Sequence, residues 1–171
     1  MDVFNEQIVP IKKDVITILL VAMIWVFAFA LCFLAVFSNL LIFLGAFRIL
    51  AAFGIGFGAY KLASIFNVEY EYIITNGIMD IDKITNKSSR KRMMSLNLEQ
   101  VSRIEKFEPS LIAHVPNKSL LCASNRYDDS YLLVCDNEGK DALYLVFAPN
   151  ERMQKAIVKF VPKFVGHNAF K

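Results

Sequence analysis

Asp80 and Asp82 stand two residues apart. Paired carboxylates can pass a proton or hold a cation, and residues two apart on a strand share a face. A basic run follows: Lys83, Lys87, Arg90, Lys91 and Arg92, with no acid between Lys83 and Arg92. Its chemistry is attraction to anions. The rest of the inventory is thin. His114 falls in a loop region and His167 near the tail. Cys32, Cys122 and Cys135 show no C-x-x-C spacing and read as small buried hydrophobes in a reducing compartment. There is no G-x-S-x-G, no H-E-x-x-H and no Cys-His pattern, and no EF-hand loop surrounds Asp80, Asp82 or Asp128-Asp129. The aspartate pair therefore reads as a solvated hairpin face beside basic residues. No catalytic residue, no metal and no cofactor is implied. A net charge of +3, with no aromatic residues interleaved in the basic run, argues against nucleic acid.

The elements that must position these groups fall into two contrasting parts. From Val15 to Phe66 the only charges are Arg48 and Lys61. A membrane helix needs about 20 predominantly apolar residues, so this stretch is long enough for two. The spacing predicts transmembrane helices over about 15–36 and 47–66. Residues 35–46, with Ser38-Asn39 as their polar break, form a short outer connection or extend both helices. The apolar run continues well past Ala28-Phe29-Ala30, which argues against a cleaved signal there. Arg48 is expected at the outer interface, its stem reaching to water, and Lys61 near the inner end. Lys12 and Lys13 precede the first helix and the basic run follows the second, so both termini are expected on the cytoplasmic side of an inner (plasma) membrane. The second helix is rich in small residues. Gly54 with Gly58 and Ala52 with Gly56 have the spacing that lets helix backbones approach, most simply against the first helix and alternatively in a homodimer.

The part from 67 to 171 reads as a domain of its own, with 1–14 as an N-terminal cytoplasmic segment. Residues 68–75 alternate, and Asn76-Gly77 is a strong hairpin signal. A two-residue turn sets Tyr72 opposite Ile81, so the apolar residues share one face. It also sets Glu71 opposite Asp82, a like-charge pair that needs a cation nearby. The stretch Arg90–Arg92, entering the next strand, is the natural source. Strands are expected over 92–96, 101–107, 120–124, 131–135 and 142–147. A closing helix opens at Pro149-Asn150-Glu151-Arg152, capped by Asn150, with Met153, Ile157 and Phe160 or Val161 at helical spacing and Pro162 limiting it.

About seven strands and one C-terminal helix, in that order, resemble the pleckstrin-homology (PH) superfold, a bent sheet or small barrel closed at one end by its helix. Several segments carry a closer resemblance: Glu69-Tyr70-Glu71-Tyr72 through Thr75-Asn76-Gly77 to Asp80-Ile81-Asp82-Lys83-Ile84, then Lys91-Arg92 before Met93-Met94-Ser95-Leu96, then Pro149 to Met153. They are similar to a family of bacterial membrane proteins with two helices followed by a cytoplasmic PH-like domain. The resemblance covers most of residues 47–171. It implies architecture, brings no catalytic residue, and carries no lipid specificity.

The function expected from these parts is non-enzymatic. The chain reads as a membrane-anchored scaffold or sensor whose PH-like domain binds a protein partner or anionic lipid headgroups. The candidate contact residues are Lys87, Arg90, Lys91 and Arg92. The alternative is a subunit of a transport or envelope-assembly complex, with Arg48 and the glycines of the second helix as its active features.

Overall fold

A computed structural model describes residues 3–37, 45, 47–125, 129–136 and 141–170. The chain forms two compact units. One comprises Met1–Ile11, Glu69–Ile84 and Ser88–Lys171; the other comprises Lys12–Val68 with Thr85–Lys87.

The second unit contains α1 (Val15–Phe37) and α2 (Phe47–Ser64). They pack side by side, with Ala28, Ala35 and Ala59 buried. Cys32 Sγ donates to the Ala52 carbonyl oxygen at 3.4 Å, and Arg48 Nη1 donates to the Val36 carbonyl oxygen at 3.3 Å. Residues late in α1 thus meet residues early in α2, which makes the pair antiparallel. Among the described helices, α1 alone is long and apolar enough to cross a membrane. Most of the expected connection, 38–44 and Ala46, lies outside the described residues.

The first unit is mainly β. Its first sheet has the order β1-β2-β3-β4, built from β1 (Phe4–Pro10), β2 (Val68–Thr75), β3 (Ile78–Thr85) and β4 (Ser89–Asn97). The second has the order β5-β7-β8-β6, from β5 (Val101–Lys106), β6 (Leu120–Cys122), β7 (Tyr131–Cys135) and β8 (Leu143–Phe147). Within it β6 runs parallel to β8, whereas β7 is antiparallel to both neighbours. The turn between β2 and β3 is as expected. Asn76 and Gly77 both have positive φ, 49° and 89°, the geometry that matches the twist of a two-residue hairpin. Any side chain at Gly77 would also meet Phe160, whose Cδ1 lies 3.2 Å from a Cβ built there.

Alternation puts Tyr72, Ile74, Met79 and Ile81 into one core with Leu133, Leu145 and Phe147 from the second sheet. Tyr72 ties the sheets together. Its hydroxyl donates to the Ala123 carbonyl oxygen at 2.6 Å and accepts from the Ala148 N–H at 3.3 Å, while burial raises its pKa. The core is closed by α3 (Glu151–Val158) and α4 (Lys163–Asn168). Asn150 caps α3 as expected, its side chain accepting from Met153 N at 2.8 Å, and Met153, Ala156 and Ile157 form the buried stripe. The single closing helix is in fact two short ones. Pro162 has no N–H to continue the ladder, so α3 stops and α4 starts anew after it.

The larger departure is β1. Residues 1–14 were expected as a segment preceding the membrane part. Phe4–Pro10 is instead an antiparallel partner of β2, with Phe4 opposite Thr75 and Pro10 opposite Glu69. The domain's first strand and its second are separated in sequence by both helices.

Candidate functional site

The expected contact residues divide once their partners are placed. Arg90 Nη1 lies 3.0 Å from Glu71 Oε2. Arg92 reaches two acids, with Nη1 3.0 Å from Asp80 Oδ2 and Nε 3.1 Å from Asp82 Oδ1. The cation that the Glu71/Asp82 face requires therefore comes from β4, as the sequence implies. The reason is burial. Glu71 is fully buried, Asp82 nearly so, and a buried carboxylate is costly unless a cation sits beside it. Desolvation raises the Glu71 pKa, and the neighbouring acids Glu6 and Asp82 raise it further; Arg90 opposes them. The Arg92 pKa is raised by its bond to Asp82.

Arg90 and Arg92 thus act first within the fold, although over half of each side chain stays exposed. Lys87 and Lys91 are exposed and form no ion pair among the described residues. Lys87 sits in the turn from β3 to β4 with φ 54°, after Asn86 at φ 51°. That turn is anchored, because Asn86 N–H donates to the Asn67 carbonyl oxygen at 2.8 Å. Asn67 follows the end of α2 and precedes β2, so Lys87 belongs to the place where the chain leaves the helices.

The helix-packing residues divide too. Ala52 meets α1 through Cys32. A Cβ at Gly54, Gly56 or Gly58 would find no atom within 4 Å, so the approach of α1 does not require glycine at these positions. The buried residues of the pair are alanines, Ala28 and Ala35 on α1 and Ala59 on α2. Arg48 caps the end of α1: besides Val36, its Nε donates to the Gly45 carbonyl oxygen at 3.1 Å. Carbonyls in the last turn of a helix lack intrahelical partners, and a cation there also suits the dipole.

A second basic surface was missed. Arg152, Lys155 and Lys159 lie along one side of α3 and line an open groove of about 510 Å³ with Val3, Phe4, Asn5, Glu151 and Ala156. All three cations are exposed and form no ion pair among the described residues. Side-chain bonds from β1 fix this arrangement. Asn5 Nδ2 donates to the Arg152 carbonyl oxygen at 3.1 Å, Gln7 Nε2 donates to the Ala148 carbonyl oxygen at 2.9 Å, and Asn150 N–H donates to Gln7 Oε1 at 2.9 Å. The i, i+3, i+7 spacing of the cations was visible in the sequence; the strand opposite them was not. No cluster of three or more metal-ligating side chains exists among the described residues.

Residues 1–167 match the family described as a bacterial PH-like domain (DUF6106). The chain belongs to that family. The match takes in β1, both long helices, the two sheets and most of α4, so the strand before the helices is part of the family's pattern. No curated protein and no solved structure matches the chain.

Proposed function

We propose that this PH-like protein is a non-enzymatic, membrane-anchored binding module. In this reading α1 and α2 cross the inner membrane as a hairpin, and the β-rich unit lies on the cytoplasmic side. The observation that carries it is the register of β1 with β2. Pro10 is paired with Glu69, so residues 11–68 leave the sheet and return to it at neighbouring points. A segment that starts and ends on the same side of a bilayer crosses it an even number of times. Once α1 crosses, α2 must bring the chain back, and its Arg48 and Lys61 then fall near the two interfaces.

The same reading gives Lys87 and Lys91 their role. The Asn86–Asn67 bond keeps the β3–β4 turn where α2 ends, which in this reading is headgroup level. Each lysine there gains about 1 kcal/mol from anionic lipid. The domain is already tethered, so this attraction orients it rather than recruits it.

Two experiments test the parts. Single cysteines at position 39 and at position 171 should be labelled from opposite faces of inside-out and right-side-out vesicles; labelling from one face rejects the hairpin. In nanodiscs, amide exchange in the β3–β4 turn should slow when anionic lipid is added, and Lys87→Gln with Lys91→Gln should remove the slowing. Equal exchange in zwitterionic and anionic discs rejects the lipid contact.

A further inference from the structure

The groove between β1 and α3 shares no lining residue with the lysines just discussed. It is lined at one rim by Arg152, Lys155 and Lys159 and at the other by the start of β1. Its acid is Glu151, so cations prevail. Arg90 and Arg92 neutralise buried acids, whereas these three cations are matched to nothing in the described residues.

The strand at the rim is a sheet edge, since β1 pairs with β2 and ends the order of its sheet. Val3 exchanges bonds with Asn76, its carbonyl accepting from Asn76 N–H at 3.1 Å and its N–H donating to Asn76 Oδ1 at 3.0 Å. In an antiparallel pair the inward and outward backbone groups alternate, so Phe4, Glu6 and Ile8 turn theirs to the open edge. Phe4 and Ile8 are also exposed, 62% and 48%, on the face opposite Asn5 and Gln7, which bond toward α3. An edge with free donors and acceptors is a template for an added strand, and alternate side chains of that strand would face the two sides differently. Those on the α3 side meet Arg152, Lys155 and Lys159; those on the other side meet Phe4 and Ile8, with Glu6 between them.

We infer that this groove binds an extended protein segment with alternating acidic and apolar residues, added as a strand to the free edge of β1. A bilayer is the poorer occupant. Val3 and Phe4 sit at the Asn76 end of β2, and an eight-residue strand separates that end from the one continuous with α2 by roughly 25 Å. The inference goes beyond the lipid reading and can fail independently of it.

The test uses the full chain in zwitterionic nanodiscs and a fluorescein-labelled peptide of about ten residues alternating Glu and Val, read by anisotropy. Binding that weakens with salt is expected. Arg152→Gln with Lys155→Gln and Lys159→Gln should weaken it about tenfold or more, and Phe4→Pro should weaken it by removing an edge donor. Lys87→Gln with Lys91→Gln should leave it unchanged. The three α3 positions are exposed, so that variant stays folded, with melting unchanged, even if Phe4→Pro disturbs β1. Three results would overturn the inference: equal peptide binding by wild type and the triple variant; capture of anionic vesicles, lost in the triple variant, without peptide binding; or disc-to-disc pairing lost in the triple variant without peptide binding, which would make a second copy the occupant.

Discussion

Removing the Tyr72 hydroxyl tests whether the two sheets are joined as described. Tyr72→Phe keeps the ring and its edge contact with Phe147, at 5.8 Å between centroids. What is lost is a bond of 2.6 Å to the Ala123 carbonyl and one of 3.3 Å from the Ala148 N–H. Both partners remain, beside a side chain with no exposed surface. Leaving a buried donor or acceptor unpaired costs about 1–3 kcal/mol each, the short bond toward the upper end and the long one toward the lower. The sum is about 3 kcal/mol, a large share of the stability of an ordinary domain. The chain supplies its own probe, since Cys135 is buried in the same core and burial raises its thiol pKa. With Cys32 and Cys122 replaced by Ala, maleimide labelling of Cys135 proceeds only through opening of the β-rich unit. Where reclosing outpaces labelling, the rate follows the open population. Tyr72→Phe should therefore speed labelling roughly a hundredfold. Tyr70→Phe, at a partly buried position, serves as the control and should change it little. A ratio below about threefold for Tyr72→Phe would refute the bridging role of the hydroxyl.

Other outcomes follow from the same structure. The raised Glu71 pKa means that the folded state binds this proton more tightly than the unfolded chain, where the value is 4.5. Its contribution to stability is whole below pH 4.5 and is lost as pH rises through the folded value. Melting temperature against pH should show that decline in wild type and a flatter curve in Glu71→Gln; parallel curves would contradict the assignment. Gln7→Ala removes two bonds between β1 and the entry to α3, and amide exchange in β1 should report a loss of about 1–2 kcal/mol. Asn150→Ala removes the α3 cap and should cost about 1 kcal/mol, seen as faster exchange at Met153. The fragment 67–171 should aggregate, because the β2 edge is bare without β1. Joining residues 3–10 directly to it through a short Gly-Asn linker should restore a monomer, measurable by sedimentation, since Pro10 already lies beside Glu69.

Where local signals agreed, the sequence was a sound guide. The Asn76-Gly77 turn, the core face of β2 and β3, the Asn150 cap and the cation beside Glu71 all follow from short-range pattern plus a requirement of charge. β1 was illegible for a physical reason. Asn5 and Gln7 point toward the interior side of the sheet but are polar, because they bond to backbone at the entry of α3. That breaks the apolar alternation that marks a strand, and the partner is more than fifty residues away, beyond any local window. The groove was hidden with it, since its cations on α3 gain meaning only from the strand opposite. The glycines are a different case: their spacing permits close approach, but a Cβ at Gly54, Gly56 or Gly58 would still find open space, so the contact with α1 does not depend on their being glycine.

The placement of β1 also sets an order of events during synthesis. This strand is made first, yet β2 is made only after α1 and α2 are complete. Until the helices pair, β1 has no template, and closing so long a loop in an unstructured chain is opposed by its entropy. Antiparallel pairing of α1 with α2 returns the chain toward its starting point and removes most of that search. Docking of the helices therefore acts as a checkpoint on the domain's maturation. A nascent chain whose helices fail to pair leaves the backbone donors and acceptors along the edge of β2 unpaired, a signal that proteases and chaperones can read.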